Sequence, residues 1–395
     1  GREAAIDARE TAPAAAHRDM YLDEQGNVVT ERSLYGPLAS GVPGSVHGLL
    51  TALERFGTRG REEMLAPALR LAKEGFPLHP RLARHFRLMQ SEFARYPHTL
   101  NTYTKNGEFY RAGERWKQPE LAHTLELIRE HGIEGFYRGE TAERIVSAMR
   151  KDGGLIRVED LADYTSIVRK PLHGRYRDYD ILSMPPSSSG GVALLQMLKI
   201  LEHRPPSVPA AGDAKSGHYI IESMRRVFAD RAEHLGDPAF YNVPVDMLLS
   251  QTYCDSLYHA IDSAAATASA ALNHQFLPPR EGDETTHYSI LDRWGNAVSV
   301  TTTLNSTFGA MYVVPETGFL LNNEMDDFSA RPGVPNQFGL LGGEANSIQP
   351  GKRMLSSMTP TIVLTDGTPV LVTGSPGGST IITTVLHSIL NYIEG

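Results

Sequence analysis

A single cysteine, Cys254, stands in a chain of 395 residues. One thiol excludes an intramolecular disulfide and any multi-cysteine zinc site. No apolar run reaches the ~18 residues that a membrane-spanning helix needs, so no transmembrane segment is expected. Lys and Arg concentrate nowhere, and the formal net charge is −8. A nucleic-acid footprint is basic, so no nucleic-acid partner is expected, and the charges read as a mixed, solvated surface. No helical pattern carries paired histidines at metal spacing, no dinucleotide fingerprint is present, and no long-period repeat recurs. With 41% hydrophobic and 21% charged residues, what remains is a globular, enzyme-like chain with a large core.

Periodicity supplies the elements. Residues 4–10 read as a short strand entering the polar turn at Thr11 and Pro13. Val46, Leu49, Leu50, Leu53 and Phe56 recur at helical spacing. Further helices are expected over 62–75, 80–94, 118–131, 139–151, 192–203 and 215–235. In the last of these, Ile221, Met224, Phe228 and Leu235 form a stripe expected to face the core. Residues 175–184 read as one strand ending at Pro185-Pro186. Ser187-Ser188-Ser189-Gly190-Gly191 lacks the Lys and spacing of a phosphate loop and reads as a tight turn. The Ala/Ser/Thr-rich run beginning at Ser263, and the stretch on to Glu284, reads as loop. Residues 360–364 and 369–372 form a hairpin about Asp366-Gly367, and the glycine-rich turn 374–378 opens a helix from Ser379 to about Tyr392.

The most informative stretch is 282–305, GDETTHYSILDRWGNAVSVTTTLN. After Thr285 and Thr286, residues 287–292 alternate as a strand does. Trp294-Gly295-Asn296 supplies a turn, and a β-branched run returns to Thr303, which makes a hairpin. Thr pairs are ordinary strand material. A threonine hydroxyl is a weak nucleophile until a base takes its proton. An N-terminal threonine carries its own base, an α-amine with a pKa of ~7.7–8.0.

Five segments from Thr285 onward give this hairpin its context: TTHYS, TLNSTFG, GFLLNNEMDDFSARPGVPN, RMLSSMTPTIV and VTGSPGGSTIITTVL, in that order. Upstream stand Arg9-Glu10-Thr11-Ala12-Pro13 and MPPSSSGG at 184–191. Together they resemble the signatures of the γ-glutamyltranspeptidases, a family of N-terminal-nucleophile hydrolases, over nearly the whole chain. The resemblance implies an α/β (α+β) fold, a four-layer αββα sandwich. It implies self-cleavage between Glu284 and Thr285 into a large-subunit region, 1–284, and a small-subunit region, 285–395, held together as one compact domain. Measured against the family, both ends look truncated. The implied activity is that of a self-processing γ-glutamyltransferase and glutathione hydrolase. It takes a γ-glutamyl group from glutathione or a similar donor as an ester on threonine and passes it to water, amino acids or peptides.

The resemblance also implies roles. Thr285 is the nucleophile, Thr303 holds it by hydrogen bonding, and Gly377 and Gly378 present N–H donors to the oxyanion. Arg9 clamps the substrate's α-carboxylate with the hydroxyls of Ser356 and Ser357, while Asn305, Glu324 and Asp327 face its α-ammonium. Phe338 takes the lid position where typical bacterial members carry Tyr; it keeps the apolar cover and loses a hydrogen bond. His287 is assigned a structural role. No cofactor or metal is expected, and family habit implies export to the periplasm or beyond. The rivals are a cephalosporin acylase or poly-γ-glutamate depolymerase on the same scaffold, and a non-processing pseudoenzyme. An intact set of Arg9, Asp327, Ser356 and Ser357 argues against the acylase.

Overall fold

The computed structural model describes residues 2–204, 213–272 and 285–395. After strand β1 (Ala5–Asp7), the first part is mainly helical, with α1 (Ser45–Phe56), α2 (Arg61–Glu74), α3 (Pro80–Leu88), α4 (Pro119–His131) and α5 (Gly139–Asp152). Proline opens α3 and α4, where its missing N–H costs no helical bond. The helix expected over 80–94 breaks at Met89, and a separate turn, Gln90–Phe93, follows. The break lets Phe86 and Phe93 both join the aromatic cluster of Tyr103, Trp116 and Phe308.

The second part contains β2 (Ile167–Arg169), β3 (Leu172–Tyr176), β4 (Tyr179–Ser183), α6 (Gly190–Glu202), α7 (Ala214–His234) and α8 (Gln251–His259). Then come the hairpin β5 (Thr286–Leu291) and β6 (Ala297–Thr302), the hairpin β7 (Thr361–Thr365) and β8 (Thr368–Thr373), and α9 (Ile381–Glu394). β1 pairs with β2, and an antiparallel sheet runs in the order β8-β7-β4-β3. The single strand expected over 175–184 is therefore half of a hairpin. The chain reverses at Arg177, which takes φ +53° without being glycine, and Glu202 accepts its N–H. Nothing in Arg-Tyr-Arg-Asp-Tyr advertises that turn, so the sequence reading passed over it.

One helix explains the core. Every residue of α6 except Lys199 and Glu202 is buried. A helix apolar on all sides belongs in an interior, and here β3, β4, α7, α8 and α9 surround it. Its buried Gln196 donates to Asp230 on α7 (2.5 Å), and Lys199 reaches the Leu249 carbonyl (2.5 Å). On α7 the core face is Tyr219, Ile220, Ser223 and Val227. The expected stripe is thus rotated: Met224 and Phe228 are partly buried, but Ile221 is 57% exposed. The β5–β6 hairpin is fastened to the main sheet through Ser299, whose hydroxyl donates to Thr373 O (2.9 Å) and accepts from Thr361 N (3.1 Å). Helices packed on antiparallel strands give the α/β class expected from the sequence.

This packing makes a test. Leu194→Ala removes a fully buried side chain and should cost ~2–5 kcal/mol of unfolding free energy. Ile221→Ala should stay within roughly 0.5 kcal/mol. Chemical denaturation of both variants checks the assignment, and equal losses would contradict it.

Candidate active site

The hairpin register pairs Thr302 with Thr286 and Thr301 with His287. One step further along the same ladder brings Thr285 beside Thr303. Their hydroxyls are hydrogen-bonded, with Thr285 Oγ1 donating at 3.2 Å. Thr303 Oγ1 also accepts the Asn305 N–H at 2.8 Å, which anchors it. Thr285 sits at φ +86°, where a β-branched residue carries roughly 1–3 kcal/mol of strain. Glu284, the other side of the expected cleavage bond, lies outside the described residues.

His287 ties the hairpin across its width: Nδ1 meets Thr301 Oγ1 (2.8 Å) and Nε2 meets Ser289 Oγ (3.0 Å). Burial holds its imidazole pKa below the ordinary value. The ring also occupies the place of a Cβ on Gly374, 2.2 Å away. The glycine turn therefore lies directly against the nucleophile hairpin.

In that turn Gly377 and Gly378 take φ +123° and +53°, at the entry to a short 3-10 turn, Gly378–Thr380, that runs into α9. Among the described residues no protein acceptor faces either N–H. The Phe338 ring covers Gly378 so closely that a Cβ there would stand 2.8 Å from it. Phe338 is held by its loop: its N–H and that of Leu340 donate to Asn336 Oδ1 (3.1 Å each), and Gln337 N–H donates to Asp326 Oδ2 (3.0 Å). Ser306 Oγ adds a bond to Gln337 Oε1 (3.0 Å). Burial raises the Asp326 carboxyl to about 6.

The charged cluster lies at the other end of these loops. The buried Arg9 guanidinium donates to Glu324 and Asp327, and through Nε to Met354 O (3.2 Å). Burial pulls its pKa down, and the carboxylates of Glu324, Asp327 and Glu10 more than reverse that, so the net shift is upward. Burial raises the carboxyls of Glu324, Asp327 and Glu10 despite Arg9. Glu324 Oε1 is buried with no hydrogen-bond partner. Arg231 is a further cation whose charge favours ionised Asp327. Carboxyl groups outnumber guanidinium groups here, and one carboxyl oxygen of the cluster is an unpartnered acceptor. An ammonium group answers both. Asn305 is buried at φ +76° and donates to Asn323 O (3.0 Å), one residue before Glu324.

Ser356 and Ser357 close the cluster. Ser356 Oγ accepts from Met358 N (3.0 Å), and Ser357 Oγ accepts from Arg231 Nη2 (3.1 Å). The serine turn 187–189 is part of this wall, not a bystander: Ser188 pairs with Ser356 across a parallel bridge, and Ser189 donates twice to the Ser356 carbonyl.

The structure therefore joins Thr285, Thr303, Asn305, Glu324, Arg9, Asp327, Phe338 and Gly378 in one chain of contacts, with Gly377 adjacent in the turn and Ser356 and Ser357 held separately by Ser189 and Arg231. Thr285 touches Thr303, Thr303 touches Asn305, and Asn305 touches Asn323 beside Glu324. Arg9 bridges Glu324 to Asp327, and Asn336 bonds Asp327 (3.1 Å) and Phe338, whose ring covers Gly378. The sequence reading missed Arg231, Asn323 and Asn336. It also missed Asp7 and Tyr164, which hold the backbone of Arg9 through its N–H (3.1 Å) and carbonyl (2.9 Å). Arg231 left a faint signal, an arginine four residues beyond Val227 on the buried row of α7.

Layered α/β architecture and a threonine at a strand's leading edge define the class of N-terminal-nucleophile hydrolases. A sequence profile of the γ-glutamyltranspeptidase family matches residues 1–395. The glutathione hydrolase proenzyme of Escherichia coli strain K12 is 47% identical over 395 residues, spanning 100% of this chain and 68% of that protein. The crystal structure of Helicobacter pylori γ-glutamyltranspeptidase superposes with a TM-score of 0.67 at 39% identity, covering 68% of this chain and 78% of the other. A cephalosporin acylase from Bacillus halodurans superposes at 0.82 with 27% identity, covering 99% and 69%. The chain belongs to the γ-glutamyltranspeptidase family and is an enzyme of that family.

The charge cluster generates a prediction with a definite sign. Arg9→Ala strands buried carboxylates and should cost ~3–5 kcal/mol near neutral pH. Their folded-state pKa values lie above the unfolded ones, so the folded state binds more protons and loses stability as pH rises. The deficit should therefore shrink as pH falls toward the carboxylate range. Denaturation curves at several pH values measure it, and a pH-independent deficit would contradict the assignment.

Proposed function

We propose that this chain is a self-processing γ-glutamyltransferase and glutathione hydrolase with Thr285 as nucleophile. The observation that carries the reading is the contact circuit that joins the Thr285–Thr303 hydroxyl pair to the Arg9 cluster. It supports a reading in which a charged cluster suited to a zwitterion serves an acylatable hydroxyl one loop away.

The first step is on the chain itself. Thr285 Oγ attacks the carbonyl carbon before it, and an N-to-O acyl shift followed by hydrolysis frees the Thr285 amine. Strain at Thr285 favours that step, because cleavage removes the peptide bond that defines its φ. The products are residues 1–284 and 285–395, which remain packed as one body.

In the mature form the free α-amine takes the hydroxyl proton, directly or through water, while Thr303 orients Oγ1. Thr285 Oγ attacks the γ-carbonyl of the donor, and the oxyanion settles on the N–H groups of Gly377 and Gly378. Collapse breaks the C–N bond, the leaving amine (Cys-Gly from glutathione) takes the proton, and the γ-glutamyl ester remains on Thr285. Water, an amino acid or a dipeptide then attacks that ester, and the α-amine again serves as base. No metal or cofactor enters these steps.

Binding energy comes from the head group. The α-carboxylate meets the remaining N–H groups of Arg9 and the hydroxyls of Ser356 and Ser357. The α-ammonium meets Glu324 Oε1, Asp327 and the Asn305 amide. An acylase acting on a side chain without an α-ammonium would leave Glu324 Oε1 unanswered, so the cluster favours an amino-acid head group. No described helix is long and apolar enough to cross a membrane, and the periplasm or the exterior is the compartment proposed.

Intact mass and gel mobility of the full-length protein beside Thr285→Ala test the reading. Two fragments divided before Thr285 are expected, with the variant uncut. The mature protein should turn over γ-glutamyl-p-nitroanilide and leave glutaryl-p-nitroanilide nearly untouched. An uncut chain in both preparations would sink the proposal in favour of a pseudoenzyme.

A further inference from the structure

The cycle above has no place for Arg231, yet this side chain grips the serine pair from behind. It is 4% exposed. Its Nη2 donates to Ser357 Oγ at 3.1 Å, and its Nε donates to Ser189 Oγ at 2.9 Å. Ser189 Oγ passes the contact on to Ser356 O at 2.6 Å. One guanidinium thus holds Ser357 by its hydroxyl and Ser356 through its backbone.

Hydrogen polarity gives the grip a direction. A guanidinium has donors only, and a serine hydroxyl has a single proton. Ser357 Oγ must accept from Arg231, so its proton is left to point elsewhere. Among the described residues no protein acceptor is bonded to it. Ser356 is in the same position, because its hydroxyl accepts the Met358 N–H. Two hydroxyl protons are thus left uncommitted on the loop whose Met354 carbonyl accepts from Arg9, and both can be offered to one carboxylate. A carboxamide in the same place presents N–H groups to donors.

We propose that Arg231 is a positioning residue that sets specificity: by holding the Ser357 hydroxyl through one of its lone pairs and placing a cation behind it, it biases the site toward γ-glutamyl donors with a free α-carboxylate over their α-carboxamides. The proposal rests on the γ-glutamyl reading above. Burial lowers the Arg231 pKa to about 10, with Asp327 opposing, so the side chain stays cationic at neutral pH. It adds positive charge where the α-carboxylate binds.

Steady-state kinetics of the full-length, self-cleaved protein test it, with γ-glutamyl-p-nitroanilide and its α-carboxamide as donors. Arg231→Met should raise KM for the carboxylate donor about tenfold to a hundredfold, the range for a hydrogen bond to a charged group, and leave kcat within about threefold. KM for the carboxamide should move less than about threefold. Ser357→Ala should give the same selective rise, and the double variant should be little worse than either single one. Arg231→Lys, able to hold one hydroxyl but not both, should fall between. Equal losses with both donors, or full additivity in the double variant, would overturn the proposal. Should Arg231→Met fail to fold or self-cleave, Arg231→Lys decides, and an unchanged preference between the donors overturns it. If the unsubstituted protein turns over no γ-glutamyl anilide, the functional reading fails and this proposal with it. Turnover without discrimination by the Arg231 variants defeats this proposal alone.

Discussion

A guanidinium taken out of water has to find its charge answered inside the protein, and Arg9 is where this structure meets that demand. Glu324 and Asp327 answer it from one loop, and Met354 O answers it from another. Because Arg9 cannot lose its proton, the two loops are committed to meeting around it. The rest of the site follows from that meeting. Asp327 takes Asn336, Asn336 fixes Phe338, and Phe338 lies on Gly378. Residues more than three hundred positions apart in sequence are brought together by a charge that would be costly to bury alone.

Thr285 depends on a different constraint, the period of a β-hairpin. A ladder that pairs Thr302 with Thr286 leaves no other neighbour for Thr285 than Thr303. A slip of one residue would put the two hydroxyls on opposite faces. His287, which invites reading as a general base, is used up in holding that register, through Thr301, Ser289 and its contact with Gly374. A rigid hairpin delivers the hydroxyl, and a glycine turn pressed against it holds the N–H groups that would meet an oxyanion.

What was legible in the sequence was local. Alternation marked the β5–β6 hairpin, Asp366-Gly367 marked the β7–β8 hairpin, and the glycine-rich run 374–378 marked the turn that opens α9. What was illegible was either turn chemistry without its usual residues or partnership across distance. Arg177 turns the chain at positive φ with no Gly, Asn or Asp to announce it at that position. Ile221 reads as core because it is apolar, but the buried row of α7 runs through Tyr219, Ser223 and Val227, and so through Arg231. That arginine looks like one charge among many on an amphipathic helix. Only the fold reveals that it faces Ser357 and Ser189. The serine turn likewise passes for a simple bend until Ser356 is found bonded to it.

The central claim is that the γ-glutamyl group passes through an ester on Thr285. The direct measurement is the mass of the fragment that begins at Thr285, after brief mixing with a γ-glutamyl donor and an acid quench. One added glutamyl group is expected, located at Thr285 by fragmentation and removed by neutral hydroxylamine or by an acceptor amino acid. Donor consumption with no adduct under any quench time, or an adduct on another residue, would contradict it.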